Sequence, residues 1–255
     1  MLKLTNLQKV FNAGTASEVH ALNGLNLTLA DGEFLTIVGG NGSGKSTLMN
    51  IIAGVHTADR GQIEIDGKNI TPLCAYKRAR YIGRVFQDPM MGTVSNMSIE
   101  ENLALASKRG HARTLARGLK KTKRRNYAAL LKRLDLGLED RMKTMAGLLS
   151  GGQRQAMTLL MAVMQQPRVL MLDEHTAALD PKTAQKVLSL SEELIREHTL
   201  TTIMVTHNMK DAIRYGDRLI MMQHGDILFA CSGEAKRKLT AAELSNRFAS
   251  TAAAQ

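Results

Sequence analysis

Eight consecutive residues, Gly39-Gly40-Asn41-Gly42-Ser43-Gly44-Lys45-Ser46, constrain this chain more than any other feature. They follow a short apolar run, Glu33–Val38, and lead into a helical pattern over Lys45–Gly54. The spacing fits G-x-x-x-x-G-K-[ST], and each part has a physical use. Glycines admit backbone conformations that turn several N–H groups inward as an anion nest. The helix that follows adds the positive end of its dipole. Lys45 can then reach the β- and γ-phosphates of a nucleotide, and the Ser46 hydroxyl can ligate Mg²⁺. A glycine turn could also simply join a strand to a helix. The pattern arises by chance in roughly one chain in a hundred of this length, and its flanks are the right ones. Gly39, Gly40, Asn41, Gly42, Ser43, Gly44, Lys45, Ser46 and Thr47 therefore read as a nucleotide cradle.

The rest of the chain alternates strand and helix patterns. Residues 2–10 and 19–30 predict short antiparallel strands, and Gly61–Ile70 predicts another with a turn at Asp66-Gly67. Apolar runs at Val169–Leu172 and Thr202–Val205 join Glu33–Val38 as candidate buried strands. Helical periodicity covers Ile99–Ala106, Tyr127–Leu136 and Gln153–Met164. Leu219–Met222 and Asp226–Cys231 predict a closing hairpin around His224-Gly225. Such alternation implies a largely parallel sheet. No internal repeat is visible.

Composition narrows the classes. With four Pro among 255 residues and no low-complexity tract, the chain is neither linker nor disordered. No apolar run reaches the 18 or so residues of a membrane span, and the amino terminus lacks the apolar core of a secretion signal. Two cysteines, Cys74 and Cys231, cannot build a disulfide framework, which points to a reducing compartment. The net charge is +11, and its placement matters more than its size. Between Asn102 and Leu134 there are eleven basic residues and no acidic one, while the remainder is balanced. Charge alone permits nucleic-acid binding, but the excess sits in a single segment.

A second string, Leu149-Ser150-Gly151-Gly152-Gln153, reads as a helix start. Ser150 can cap, two glycines let the backbone come close, and the helix presents free N–H groups to an anion. At average residue usage it occurs in roughly one of several thousand chains. Paired with the phosphate loop, it resembles the ATP-binding cassette (ABC) ATPases. The family's other marks appear in order. Val169-Leu170-Met171-Leu172-Asp173-Glu174 resembles the Walker B strand with its trailing glutamate. Gln87, in Phe86-Gln87-Asp88-Pro89, lies where the family has its Q-loop. Ala178-Leu179-Asp180 resembles the D-loop, and His207, in Val205-Thr206-His207-Asn208, resembles the switch histidine. The resemblance runs from about Leu2 to Ser232.

The resemblance implies a role for each. Asp173, ending an apolar strand, would serve Mg²⁺, a hard cation that prefers oxygen. Ser46 and Gln87 would share the metal, and Gln87 would also report nucleotide state. Glu174 would be the general base or water-orienting group for in-line attack on the γ-phosphorus, and His207 would contact the γ-phosphate. Ser150, Gly151, Gly152 and Gln153 would meet the nucleotide held by an opposite subunit, with Asp180 at the seam. Phe11 resembles the aromatic that stacks on adenine, although a Phe after a strand is as often core. His175 stands where the family usually has proline and reads as structural. The other histidines show no metal-ligand spacing, and no structural metal is expected.

The implied fold is α/β: a P-loop NTPase core with a mainly parallel sheet, an amino-terminal antiparallel β subdomain and an inserted helical subdomain near residues 90–165. One nucleotide-binding domain would span 1–240, with 241–255 as a tail. The implied activity is ATP hydrolysis, with ATP and Mg²⁺ as cofactors, driving a membrane ABC transporter. The partners would be a polytopic membrane permease subunit, a second copy of the chain and a separate substrate-binding protein, at the cytoplasmic face of the cell membrane. The motif surroundings are most like bacterial solute importers, amino acids among their cargo. Cassettes of DNA-repair and translation factors double the cassette or insert a long coiled coil or zinc module. Here Gln87 and Ser150 are 63 positions apart with no heptads between, so no nucleic-acid partner is expected. A kinase would share only the phosphate loop. Lys108–Arg125, with nine basic residues in 18 positions, reads either as a solvated connection or as a surface for anionic lipid or an acidic patch on the permease.

Overall fold

The computed structural model describes residues 1–110 and 121–252. It opens with an antiparallel meander. β1 (Leu2–Phe11) pairs with β2 (Val19–Leu29), placing Leu2 opposite Leu29 and Phe11 opposite Val19. Leu25, Leu27 and Leu29 are buried while Asn26 and Thr28 are exposed, the alternation of a sheet with one dry face. β3 (Phe34–Gly39) is buried along its whole length, as a strand covered on both faces must be. α1 (Lys45–Ala53) follows and stops at Gly54, which adopts φ 79°. β4 (Arg60–Ile65) pairs with β1 and turns through Asp66-Gly67 into β5 (Lys68–Asn69), giving the order β2-β1-β4-β5. α2 (Ala75–Arg78) ends the segment. There the buried Arg78 guanidinium donates to the carbonyls of Ile51 and Ile52 at 2.6 and 3.0 Å, supplying donors that the end of α1 lacks.

Residues 79–198 form a second unit. β6 (Ile82–Val85) lies parallel to β7 (Val169–Asp173), with Ile82 opposite Val169 and Val85 opposite Leu172. Between them come α3 (Ile99–Ala106), α4 (Lys121–Lys132) and α5 (Gly151–Val163), and α6 (Pro181–Glu197) follows β7. Ile99, Leu103, Tyr127, Leu131, Met157 and Leu160 pack into one apolar cluster. The sequence pattern carries the helix of Tyr127 on to Leu136. The structure ends it at Lys132, because Asp135 and Gly137 take positive φ of 52° and 64°. The pattern places nothing on β6 or α6. α6 is nonetheless amphipathic, burying Val187, Leu188, Ser191, Leu194 and Ile195, with Asp180 as its cap and Pro181 in its first turn. Most of the basic stretch Lys108–Arg125, namely residues 111–120, lies outside the described residues.

The chain then rejoins the first unit, which holds residues 1–78 and those from 199 onward. β8 (Thr201–Val205), α7 (Met209–Arg214), β9 (Arg218–Gln223), β10 (Asp226–Ser232), α8 (Gly233–Lys238) and α9 (Ala241–Ala252) follow in order. β3 has parallel neighbours on both sides, β8 and β9, and β10 closes antiparallel through His224-Gly225 in the order β10-β9-β3-β8. Val38, Ala212, Leu219, Met221 and Leu244 form the cluster beneath α7 and α9, so residues 241–252 are helical and anchored by Leu244. The architecture is the expected α/β one, with a mainly parallel sheet, an antiparallel amino-terminal sheet and a helical insert. Among the described residues, no helix is long and apolar enough to cross a membrane.

Candidate functional site

In the first unit the phosphate loop leaves the carboxyl end of β3. Gly39 lies opposite Met222 of β9, and Ile37 lies opposite Val205 of β8. Ligands of open α/β sheets bind at such strand ends. Gly44 is the residue before α1, at φ 97°, with no side-chain cap and no acidic residue in the first turn. The helix N–H groups there are left to an anion. A Cβ on Gly44 would stand 2.5 Å from the Ala21 carbonyl oxygen, so only glycine fits. Lys45 is buried, and its Nζ donates to the carbonyls of Gly39 and Gly40 at 2.9 and 2.7 Å and to Ser43 Oγ at 3.1 Å. Its charge is thereby held in the loop. Asn41, Gly42 and Ser46 are exposed, and Thr47 is half-buried.

The loop has a support that the motif does not contain. The Gly225 N–H donates to the Ser43 carbonyl at 3.2 Å, and the Asn23 N–H donates to the Gly225 carbonyl at 3.3 Å. His207 is exposed just past β8, next to Asn208, whose side chain accepts from the N–H groups of Lys210 and Asp211 to start α7. Phe11, at the end of β1, is not core. It is half-buried and meets His56 edge to face with ring centroids 5.5 Å apart.

The second unit carries the remaining candidates. β7 ends on Asp173, whose Oδ2 accepts from Arg84 Nη2 of β6 at 2.7 Å. Glu174 then takes φ 45°, the left-handed region that non-glycine residues rarely adopt. Such a conformation costs on the order of 1–3 kcal/mol and gathers at functional sites. Ala177 N–H closes the turn onto the Glu174 carbonyl at 2.9 Å. His175 is buried, with Nε2 3.1 Å from Ser191 Oγ of α6, and burial pushes its pKa down to about 4. It is a neutral packing residue there. Gln87 is exposed beyond β6.

Ser150 starts α5 with a reciprocal cap. Its Oγ accepts from the Gln153 N–H, and Gln153 Oε1 accepts from the Ser150 N–H at 3.1 Å. A Cβ on Gly152 would fall 2.1 Å from Thr183 Cγ2, so the second glycine is there for close approach to α6. Asp180 accepts from the Thr183 N–H at 3.1 Å, and these Thr183 hydrogen bonds hold its carboxyl below the usual range. The start of α5 and Asp180 thus meet through Thr183, which no motif marks. A cavity of about 260 Å³ opens beside them, lined by residues including Leu136, Gln153, Lys182 and Lys186.

As for metal, Ser46 in the first unit, and Gln87 and Asp173 in the second, each carry a side-chain oxygen, the donor atom that suits Mg²⁺. Among the described residues no group of three or more His, Cys, Asp or Glu is placed to hold an ion.

The family model described as "ABC transporter" matches residues 22–177. The chain belongs to the ABC transporter family. The cassette is an ATP-binding ATPase subunit. It is 43% identical over 248 residues to a tyrosine transport ATP-binding protein of Clostridioides difficile, spanning 97% of this chain and 98% of that one. A phosphonates import ATP-binding protein of a Ruegeria species is 34% identical, over 90% of this chain and 88% of that one. A methionine import ATP-binding protein of Rhizobium johnstonii is 36% identical over 89% of this chain, which spans 60% of that longer protein. Among solved structures, the cassette is similar to a dimeric ATP-binding cassette in a post-hydrolysis state bound to ADP and Pi. That match has a TM-score of 0.78 and 30% identity, over 91% of this chain and 98% of that one. It is also similar to cbiO1 from Clostridium perfringens, part of the ABC transporter complex cbiONQ, with a TM-score of 0.77 and 29% identity over 96% and 93% of the two chains.

Proposed function

We propose that this cassette powers solute import through a separate membrane permease subunit, working as a dimer at the cytoplasmic face of the membrane. The observation that carries the dimer is the second anion-seeking helix start. α5 begins at Ser150 with no acid in its first turn, just as α1 does at Lys45. One chain therefore offers phosphates two helix ends in two different units, and a sandwich of two copies around two ATP uses both. Lys45 and the Gly39–Thr47 loop would bind ATP in one copy, with Ser150 and Gly152 of the other copy completing the contact. Ser46, Asp173 and Gln87 would hold Mg²⁺, which when bound would neutralise charge on the phosphates. Glu174 orients and deprotonates the attacking water. His207 donates to the γ-phosphate, and Phe11 stacks on adenine.

The 43% identity to a tyrosine transporter subunit over nearly the whole of both chains supports an amino acid as cargo, delivered by a separate binding protein. The reaction is tested with the purified chain and Mg²⁺. Lys45→Ala should lose ATP affinity. Glu174→Gln should bind ATP normally yet turn over about a hundredfold or more slower, the scale of a lost general base. Near-normal turnover by Glu174→Gln in the assembled transporter would remove Glu174 from its role. Cargo is tested in vesicles holding the permease and binding protein, where ATP-dependent tyrosine uptake is expected.

A further inference from the structure

β6 is a four-residue strand in which Ile82, Gly83 and Val85 are buried, yet its third residue is an arginine. A charge in such a strand needs a partner. Parallel pairing sets Arg84 opposite Met171, so Asp173, two residues further along β7, is its diagonal neighbour on the same face. The two side chains meet at 2.7 Å and are 13% and 17% exposed, well sheltered for an ion pair. The guanidinium also lies 4.8 Å from the centroid of the Phe86 ring, immediately before Gln87. Held between a carboxylate and an aromatic face, it is fixed more firmly than a solvated surface arginine.

We propose that Arg84 is a positioning residue that competes with Mg²⁺ for the Asp173 carboxylate and so sets the Mg²⁺ level at which the cassette takes up metal-bound nucleotide. The inference rests on the role proposed above for Asp173. A divalent ion drawn to that carboxylate either meets a fixed positive charge or displaces a charge-assisted hydrogen bond. Both weaken the metal's hold. The device keeps Asp173 neutralised within the protein and releases it only to a cation that brings additional phosphate contacts.

The test measures binding of AMP-PNP to the full-length chain by calorimetry across a range of free Mg²⁺. Arg84→Met should reach half-maximal tightening at about tenfold lower Mg²⁺ than the unmodified chain, the scale of one charged hydrogen bond. Arg84→Lys, which keeps the charge but loses the planar guanidinium stacked on Phe86, should shift the midpoint in the same direction by less than Arg84→Met. AMP-PNP affinity in EDTA should be the same for all three. In an Asp173→Asn background, adding Arg84→Met should change nothing, because the effect acts through that carboxylate. If Arg84→Met does not fold, Arg84→Gln carries the same expectation. An unchanged or higher Mg²⁺ midpoint, or a difference that persists with Asp173→Asn, overturns the proposal. If the unmodified chain shows Mg²⁺-dependent tightening that Arg84→Met leaves alone, only this inference falls. If the unmodified chain and Asp173→Asn respond identically to Mg²⁺, the role of Asp173 falls with it.

Discussion

Gln155 Nε2 donates to the carbonyl oxygen of Phe86 across 3.0 Å, with the glutamine fully buried. This bond ties α5, which starts at Ser150, to the residue directly before Gln87. The two segments are far apart in sequence, and a movement of either is felt by the other.

Gln155→Met keeps the volume and removes the donor. It should leave the Phe86 carbonyl unpaired and cost about 1–3 kcal/mol in urea denaturation. Saturated ATPase should fall several-fold with ATP affinity within about twofold, since neither residue belongs to the phosphate loop. Loss of stability with unchanged turnover would make the bond purely structural.

Gly44→Ala and Gly42→Ala separate space from conformation in the phosphate loop. Both glycines have positive φ, 97° and 75°, but only Gly44 has a neighbour, the Ala21 carbonyl oxygen at 2.5 Å from an added Cβ. Both variants bear the strain of about 1 kcal/mol or more of a non-glycine residue in that region. Gly44→Ala must also displace backbone and should lose ATP affinity by more than tenfold in equilibrium dialysis. Gly42→Ala should lose several-fold less. Equal losses would show that the Ala21 contact does not matter.

Ser150→Arg bears on the sandwich. With Glu174→Gln holding ATP unhydrolysed, light scattering should report a dimer, because nucleotide bound by both copies contributes its binding energy to association. ADP should return the protein to monomer. Adding Ser150→Arg puts a bulky side chain in place of the capping hydroxyl and should abolish the dimer while leaving the melting temperature within a few degrees, about 1 kcal/mol for a lost cap. A dimer that forms without nucleotide and survives Ser150→Arg would refute the arrangement.

His175 makes stability depend on pH in a stated direction. Its pKa is depressed in the folded chain from 6.5 to about 4, through burial. The unfolded chain therefore binds the extra proton in that interval and the folded chain does not, so stability is fully present above about pH 6.5 and is lost as pH falls toward 4. The loss attributable to this residue is up to about 3 kcal/mol. Urea midpoints of the unmodified chain and of His175→Gln should converge as pH is lowered through that interval and stay parallel above pH 7 (other groups shift both curves alike). Parallel curves throughout would show that His175 accepts its proton in the folded state.

Much of this protein is readable without coordinates, because the information is local. The phosphate loop needs glycines, a lysine and a following helix within eight consecutive positions, and Ser150 caps a residue three places away. Alternating Leu25, Leu27 and Leu29 and the mainly apolar run Phe34–Val38 into Gly39 announce their strands in the same way. Even α6 left a local sign, Asp180-Pro181 before a helical period. Distant partners leave no such sign. That Arg84 grips Asp173, that Thr183 fills the space a side chain at Gly152 would need, that Gly225 supports Ser43 and that Gln155 holds Phe86 are facts of strand register and helix packing. The αL turn at Glu174 is the same kind of fact, since no residue type there demands it and only the surrounding packing can impose it. Backbone preference acts over a few bonds and is written in neighbouring letters. Contact acts over a few ångströms between segments that only the folded chain brings together.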